Sequence, residues 1–478
     1  MANNDLKVDP HVMAREFRDA PFGDRRLSAR LEKIGASLSK APEASIRSAM
    51  QSHAAEDAAY RFFSNEVVTP MKILHPHAAQ TVERIASEGA ALAIHDTSEF
   101  AFDGEAQRLG LGRLAGSQRQ GFYAHVSLAV SADATHRPLG VMGLKTWART
   151  GAKRRRPGDK RLNGDAYQGV ANKESDRWLQ QVEYVESLVG EPGRLIHVAD
   201  READSFVHFD RMIDARFRFV FRAARNRLVR SDDGDDDCKL RDVIAKREDI
   251  FSIDVPLSAR KAKGAPRANE TSGARNARSA RLGVRATSCE LLRPRRIGPK
   301  LWIPINVVEV HEIDAPADTV AVDWVLLTTE PIETAADVQA IINAYRARWL
   351  IEELFKALKT GCQIEKRQLE SFEAIVNLLA TCCPIAWQML LLRNLSRSSP
   401  DSPATDALTP TQIDVLRACS SVKLGPFPTM RTALFAVASL GGHHDKWEPG
   451  WLVLGRGFER LLLLEVGWLA HQNTRGDL

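Results

Sequence analysis

Two short apolar runs, each ending on an aspartate, constrain the fold of this chain more than any other sequence feature. The run ALAIHD leads into Asp96, and RLIHVAD leads into Asp200. Between them lie two strand-like segments, FYAHVSLAV and LGVMGLKTW, and one helix-like segment, WLQQVEYVESL. Strands that alternate with helices are typical of an α/β sheet, and functional groups collect at the ends of its strands. We therefore expect each aspartate to terminate a strand and to be a candidate functional residue.

One long helix is predicted from Ala335 to Thr360, because apolar residues recur there at helical spacing. At about 100° per residue, with Tyr345 at zero, Arg348 lies near about −60°, Glu352 near about −20° and Lys359 near about −40°. These four polar residues share one narrow stripe. The opposite face is apolar and is formed by Ala347, Leu350, Leu354 and Leu358.

An ordinary surface helix would also carry charges on its outer face, but it would not explain the tyrosine in the stripe or Trp349 beside it. A face that binds phosphates explains both aromatic residues. Arg and Lys neutralise phosphates, Tyr donates a hydrogen bond to a phosphate oxygen, and Glu supplies a metal ligand. The stripe includes Glu352 and leaves Glu353 to one side, so Glu352 is the candidate ligand.

The charge of the chain is concentrated in one segment. The whole sequence has a net charge of +5, but residues 260–300 contain twelve Lys and Arg against two Glu, a net charge of +10. A concentrated basic segment is typical of a protein that binds a polyanion such as DNA. The alternative is a solvated mobile loop that binds nothing.

The amino-terminal region, residues 12–68, is predicted to be helical, with basic residues among its apolar positions. It resembles a small DNA-binding domain, although charged outer faces are common on surface helices. No run of about 18 apolar residues appears, and the amino terminus lacks the apolar core of a secretory signal. We therefore expect a cytoplasmic protein that makes no contact with a membrane. The six cysteines form no CxxC pair and are expected to be reduced.

Several motifs together carry a family resemblance. Tyr345, Arg348, Glu352 and Lys359 reproduce the Tyr-Arg-Glu-Lys signature of the insertion sequence four superfamily of DDE transposases. Further matches are GDRRLSARL, AYRF, HDTSEF, DREAD and WVLLTTEP, in the family's order. The segment 260–296 has no clear match, and the tail after about residue 397 agrees only in short pieces such as SLGG.

The resemblance implies an α/β fold with a ribonuclease-H-like catalytic core. That core would span residues 70–372, with a β-rich insertion at about 223–330, between a helical DNA-end-binding domain (1–69) and a helical dimerisation domain (373–478). Asp96, Asp200 and Glu352 match the family's catalytic, metal-binding triad. Trp324 matches an aromatic residue that stacks on a flipped nucleotide. The other DNA contacts that the resemblance implies are Arg222, Arg30, Lys40 and Arg61, beside Tyr345, Arg348 and Lys359.

The implied activity is cut-and-paste transposition of double-stranded DNA by a homodimer. Three gathered carboxylates would repel one another, and hard divalent cations resolve that repulsion with oxygen ligands, so two Mg²⁺ ions are expected and Mn²⁺ should substitute. Two other interpretations stay open. One is an inactive, transposase-derived DNA-binding protein or transposition inhibitor; the other is a nuclease or resolvase that performs no strand transfer.

Overall fold

The computed structural model describes residues 13, 15–50, 52–104, 107–114, 119–149, 176–231, 238–257, 259, 276–295, 298–316, 319–444 and 447–476. Within these ranges the fold is mixed α/β. In chain order the elements are α1 (Arg25–Lys40), α2 (Ile46–Met50), α3 (His53–Phe63), α4 (Pro70–Glu88), β1 (Ala91–Phe102), β2 (Gly112–Arg113), β3 (Gln120–Ser131), β4 (Pro138–Trp147), α5 (Asp176–Val189), β5 (Leu195–Ala199), α6 (Phe206–Asp214), β6 (Arg218–Arg222), β7 (Leu228–Ser231), β8 (Cys238–Lys239), α7 (Leu240–Ala245), β9 (Phe251–Leu257), β10 (Arg278–Leu292), β11 (Trp302–Ile313), β12 (Asp323–Thr328), α8 (Ala335–Ala347), α9 (Trp349–Lys356), α10 (Phe372–Ser398), α11 (Pro410–Cys419), α12 (Met430–Leu440) and α13 (Trp451–Gly476).

The chain divides into two compact units. Unit 1 comprises residues 1–157, 181–190 and 349–478, and unit 2 comprises residues 158–180 and 191–348. The amino-terminal and carboxy-terminal helices therefore belong to the same unit as β1–β4. The predicted domain boundaries at 69/70 and 372/373 describe a functional division and stay predictions.

The sheet of unit 1 is antiparallel and is organised around β3. On one side β3 pairs with β1 along its whole length, from Ala91 opposite Ser131 to Phe102 opposite Gln120. On the other side it pairs with β4 and with the short β2. The strands β1 and β3 are buried over most of their length. Both faces of these two strands are therefore covered over most of their length.

One helix of unit 1, α10, is long and apolar enough to cross a membrane by length and composition, and it is the only one among the described residues that is. Its most apolar 18-residue window is completely buried inside the protein. A helix that is apolar on all sides is also what the centre of a large domain requires. The amide of Asn377 on α10 donates hydrogen bonds to the carbonyls of Phe63 and Val68, so α10 also holds the segment that follows α3.

Unit 2 contains a mixed sheet in the order β5-β6-β12-β11-β10-β7-β8, with β9 also paired to β10. The strands β5 and β6 are parallel, and the other pairs within this unit are antiparallel. A group of phenylalanine rings, Phe209, Phe219 and Phe221, packs α6 against β6 at centroid distances of 5.0–6.2 Å. The range 223–330, predicted to be rich in strands, contains β7–β12 among its described residues.

Much of the described part of the basic segment 260–300 is a strand. Residues 260–275 lie outside the described residues, but β10 begins at Arg278 and pairs with β11 over twelve positions. Two of its arginines have acidic partners: Arg278 pairs with Glu312, and Arg285 with Asp249 at 2.9 Å. The alternative of a solvated mobile loop is therefore wrong for this half, because alternating apolar residues place it in the sheet.

Candidate active site

Asp96 lies in the middle of β1, where the strand passes from buried to partly exposed. The five residues before it are buried, and the three from Asp96 onward are half-buried. The prediction that Asp96 terminates its strand was wrong, because β1 continues to Phe102 through its pairing with β3. The carboxylate oxygen Oδ1 accepts a hydrogen bond from the main-chain N–H of Thr97 at 2.8 Å. Asp96 therefore lies where β1 changes from buried to half-buried, and β1 is paired with β3 along its whole length.

The opposite face of β1 carries a buried polar layer. His95 Nδ1 lies 2.9 Å from Ser127 Oγ, and Thr97 Oγ1 lies 2.9 Å from His125 Nδ1. Burial lowers the pKa of His125 to about 3, with a smaller contribution from the cation of Lys145. His125 is therefore neutral at physiological pH. These side-chain contacts join β1 to β3 in addition to the main-chain ladder and support the register that places Asp96.

Glu352 lies on α9, and one aromatic contact shows which surfaces of α9 and β1 face each other. The rings of Phe355 and Phe100 are 6.5 Å apart. Phe100 and Asp96 project from the same face of β1, because side chains alternate along a strand. Glu352 and Phe355 are three residues apart and so lie on one side of the helix. Asp96 and Glu352 therefore belong to the two surfaces of unit 1 that this contact brings together.

The neighbouring acid has a different environment. Glu353 is buried, and Lys356 Nζ donates a hydrogen bond to its Oε1 at 2.9 Å. Arg393 on α10 lies 3.5 Å from the other carboxylate oxygen. Glu353 is thus part of an internal ion-pair cluster, whereas Glu352 is half-buried.

The predicted single helix from Ala335 to Thr360 is interrupted twice. At Arg348 the main-chain N–H bonds to Tyr345 O at 3.1 Å, three residues back, so α8 ends there and α9 begins at Trp349. The segment Ala357–Gly361 is a π-helical turn, closed by a bond from the N–H of Cys362 to Ala357 O at 2.8 Å. One uniform helical period over residues 335–360 therefore does not describe the stripe.

The prediction that Tyr345 is exposed on the polar stripe was wrong. It is only 5% exposed, because its ring packs edge-on against Trp324 with the centroids 5.3 Å apart. Trp324 itself is half-buried, while Trp349, the other predicted exposed aromatic, is 56% exposed. Tyr345 therefore supports Trp324 in this structure rather than standing at the surface.

Lys359 lies on the π-helical turn with its ammonium group 5.1 Å from the centre of the Phe100 ring. Burial lowers the pKa of Lys359, while the carboxylates of Glu365 and Glu99 oppose that shift. The cation is thus placed over the same residue of β1 that contacts α9.

Asp200 follows β5 directly, as the sequence predicted. Its side chain caps a short 3₁₀ turn, Arg201–Ala203, by accepting a hydrogen bond from the N–H of Glu202 at 2.9 Å. The carboxylate is half-buried. A strand end followed by a tight turn is a common position for a functional side chain in α/β proteins.

Asp204, the last residue of the DREAD motif, performs a structural task that sequence reasoning missed. It is 5% exposed and accepts hydrogen bonds from the N–H groups of Ala224 and Arg225 at 2.7 and 3.0 Å. Its other oxygen accepts from Arg227 Nε at 3.0 Å. Asp204 therefore ties the chain after Asp200 to the chain after β6.

Arg222 ends β6 and reaches the start of β12. Its Nη2 donates to Asp323 O at 2.8 Å, while its Nε is buried and has no partner among the described residues. The carboxylate of Asp323 receives two hydrogen bonds from Arg241, at 2.8 and 3.0 Å. These contacts fix the residue immediately before Trp324.

The predicted metal ligands are carboxylates, which suit a hard divalent cation. Asp96 and Glu352 belong to unit 1, and Asp200 belongs to unit 2. Among the described residues, no group of three or more His, Cys, Asp or Glu side chains is arranged so that it could hold a metal ion. Carboxylate oxygens suit a metal centre. That Asp96, Asp200 and Glu352 bind the metal together stays a prediction.

Comparison with known proteins identifies the family. The family described as "Transposase DDE domain" matches residues 123–387, more than half of the chain. The chain belongs to the DDE transposases. A second family, "Transposase DNA-binding", matches residues 11–68 of this transposase. Among solved structures, the transposase is similar to the "Cryo-EM structure of piggyBac transposase synaptic complex with hairpin DNA". The identity is 11% and the TM-score 0.35, over 81% of this chain and 76% of that one.

The DNA-binding match covers the three amino-terminal residues that the sequence singled out. Arg30 and Lys40 lie on α1 and are half-buried, and Arg61 is exposed on α3. Arg61 Nε donates to Asp57 O at 3.3 Å on its own helix. The transposase therefore presents all three on the helices of its DNA-binding region, and their individual contacts with DNA stay predictions.

Proposed function

We propose that this transposase performs cut-and-paste transposition of the insertion sequence four type and resembles the transposon five transposase in particular. It binds the inverted-repeat ends of a transposon, cleaves them by metal-dependent hydrolysis through a hairpin intermediate, and joins the freed 3′-OH ends to target DNA. The observation that carries the proposal is the ring contact between Phe100, on the same face of β1 as Asp96, and Phe355, on the same side of α9 as Glu352, in a chain of the DDE family.

The reaction needs an activated oxygen nucleophile and a stabilised 3′-oxyanion. Two Mg²⁺ ions held by Asp96, Asp200 and Glu352 would supply both when bound, and Mn²⁺ would replace them. Water cleaves one strand and leaves a 3′-OH, which attacks the opposite strand to form the hairpin. A second water reopens the hairpin, and the same 3′-OH then attacks a target phosphodiester.

The positions of the remaining site residues support this route. Arg348 and Lys359 are half-buried cations that bind phosphates of the end, and Arg222 contributes a third. Trp324 stacks on a nucleotide flipped from the duplex, and Tyr345 supports its ring from the edge. Base flipping relieves the tight bend of the hairpin, so Trp324 acts at that step and not at the first cleavage.

A homodimer would hold two ends together during transfer. The carboxy-terminal α13 leaves apolar side chains exposed, including Leu463 and Val466, which lie one turn apart and are each 53% exposed. An exposed apolar patch on a helix is typical of a protein–protein contact. We assign this face of α13 to the partner subunit of the synaptic complex.

The test is a cleavage assay with the protein and a DNA that carries the inverted repeats flanking its gene. Supplied with Mg²⁺ or Mn²⁺, the parent should produce nicks, hairpins and strand-transfer products. Asp96→Asn, Asp200→Asn and Glu352→Gln should each abolish all three products while retaining end binding. Glu202→Gln, which removes an exposed acid beside Asp200, is the matched control. A correctly folded triad variant that cleaves at the parent's rate would remove that residue from the site.

A non-catalytic DNA-binding protein or transposition inhibitor is the second candidate. The observation that favours it is the match of residues 11–68 to the transposase DNA-binding family, since that region can bind DNA without any catalysis. A parent protein that binds the ends tightly and produces no cleavage with either metal would support this candidate.

A further inference from the structure

The chain makes an unusual turn immediately after the helix that carries Glu352. The π-helical turn Ala357–Gly361 is followed by Gln363, which has a left-handed backbone with φ of +48°, and then by the 3₁₀ turn Ile364–Lys366. π-helical turns and left-handed non-glycine residues both cluster at functional sites, where surrounding contacts hold them. The side chain of Gln363 donates to Glu43 Oε2 at 2.8 Å, which is one such contact.

Glu365 on this turn bonds to the strand that carries Asp96. Its Oε1 accepts a hydrogen bond from the main-chain N–H of Ala101 at 2.9 Å, across 264 positions of sequence. The carbonyl of Ala101 accepts from Arg119 Nη2 at 3.2 Å. The main-chain N–H and C=O of Ala101 are therefore both hydrogen-bonded to side chains.

This bond lies beside Lys359. Ala101 is the residue after Phe100, whose ring the Lys359 ammonium covers at 5.1 Å. The charged groups that act on Lys359 are Glu365 on the 3₁₀ turn, Glu99 on β1, and Arg119 immediately before β3. Glu365 thus bonds to the main chain next to Phe100, the residue that Lys359 covers, and its negative charge favours the Lys359 cation.

We propose that Glu365 is a positioning residue, which holds Lys359 over β1 by anchoring the turn after the helix to Ala101 and by placing a carboxylate next to Phe100, the residue that the Lys359 cation covers. The inference rests on the proposed function in so far as Lys359 binds a phosphate of the DNA end. An ordinary tertiary hydrogen bond would stabilise the turn without changing the charge state of Lys359, and this difference makes the proposal testable.

Two substitutions separate the two actions of Glu365. Glu365→Gln keeps an oxygen that accepts from Ala101 and removes the charge, whereas Glu365→Ala removes both. Glu370→Gln removes the charge of an exposed acid five residues further on and is the matched control. Circular dichroism and thermal unfolding check the fold of each variant. If Glu365→Ala does not fold, Glu365→Gln still tests the charge action.

The first measurement is the rate of Lys359 acylation by an amine-reactive reagent as a function of pH, read by mass spectrometry. Removing the Glu365 carboxylate removes a negative charge that favours the Lys359 cation. The midpoint of the curve of Lys359 acylation rate against pH should therefore move to lower pH in both variants. The second is single-turnover cleavage of end-bearing DNA. Loss of the anchor in Glu365→Ala should slow cleavage by roughly 10-fold or more, since misplacing a catalytic-site group by about 1 Å costs up to about 100-fold.

Glu365→Gln should cleave close to the parent's rate at low pH and lose activity at a lower pH than the parent, because the Lys359 cation is lost earlier. The proposal would be overturned if Glu365→Gln and Glu365→Ala both had the same acylation midpoint and the same pH profile of cleavage as the control Glu370→Gln. If the parent itself does not cleave while the acylation midpoints still shift, the proposed function fails and the positioning role of Glu365 stands.

Discussion

The two aspartates at the ends of the DREAD motif should respond in opposite ways to substitution. Asp200 is half-buried and caps one short turn, whereas Asp204 is 5% exposed and accepts from two main-chain N–H groups and from Arg227. We expect Asp204→Ala to destabilise the protein and Asp200→Ala to remove cleavage while leaving the fold intact.

The expected loss in the free energy of unfolding depends on which groups each substitution leaves without a partner. Removing Asp204 strands the guanidinium of Arg227, which is itself only 7% exposed. Breaking a buried ion pair in this way costs about 3–5 kcal/mol, out of a total stability of about 5–15 kcal/mol. Removing Asp200 loses one capping bond, which costs about 1 kcal/mol. The two variants should therefore differ by about 2–4 kcal/mol in the free energy of unfolding.

Equilibrium unfolding in urea, followed by circular dichroism, measures this difference. The matched control is Asp210→Ala, because Asp210 forms a more exposed pair with Arg293 at 3.0 Å and should contribute about 0–1 kcal/mol. A cleavage assay on the same samples gives the functional half of the test. An Asp204→Ala protein whose unfolding midpoint equals that of the Asp210→Ala control would refute the reasoning.

Three further predictions follow from the site and its surroundings. Trp324→Ala should spare the first nick and reduce hairpin formation, as resolved on a denaturing gel; equal loss at both steps would argue that Trp324 acts only as a core residue. Leu463→Glu together with Val466→Glu should leave binding of one end intact and prevent paired-end complexes in a gel-shift assay, and paired complexes formed at the parent's level would exclude this face of α13. The third concerns His125, whose pKa is lowered from 6.5 to about 3, first by burial. Unfolding therefore takes up a proton in that pH range, and stability is complete above pH 6.5 and falls as the pH is lowered toward 3. His125→Asn should flatten this decline by about 2 kcal/mol between pH 7.5 and pH 5 in urea titrations, and an unchanged slope would show that another group is responsible.

Much of the local structure could be predicted from the sequence. The apolar runs before Asp96 and Asp200 identified β1 and β5, and helical spacing identified the helical region around Glu352. These predictions succeeded because alternation and helical period depend on residues close together in the chain. The family motifs, which are also local, indicated a DDE transposase, and the family comparison confirmed it.

Only the tertiary structure decided how individual side chains within those elements are used. Tyr345 has a place in the polar stripe by its spacing, but Trp324, 21 positions earlier, covers it. Asp200 and Asp204 are chemically identical, and the more distant Ala224, Arg225 and Arg227 make only Asp204 a buried structural acid. The arginines of β10 count as free charge in the sequence, yet Glu312 and Asp249 neutralise two of them. Burial and ion pairing depend on neighbours that are remote in the chain, so no periodic pattern in one segment contains that information.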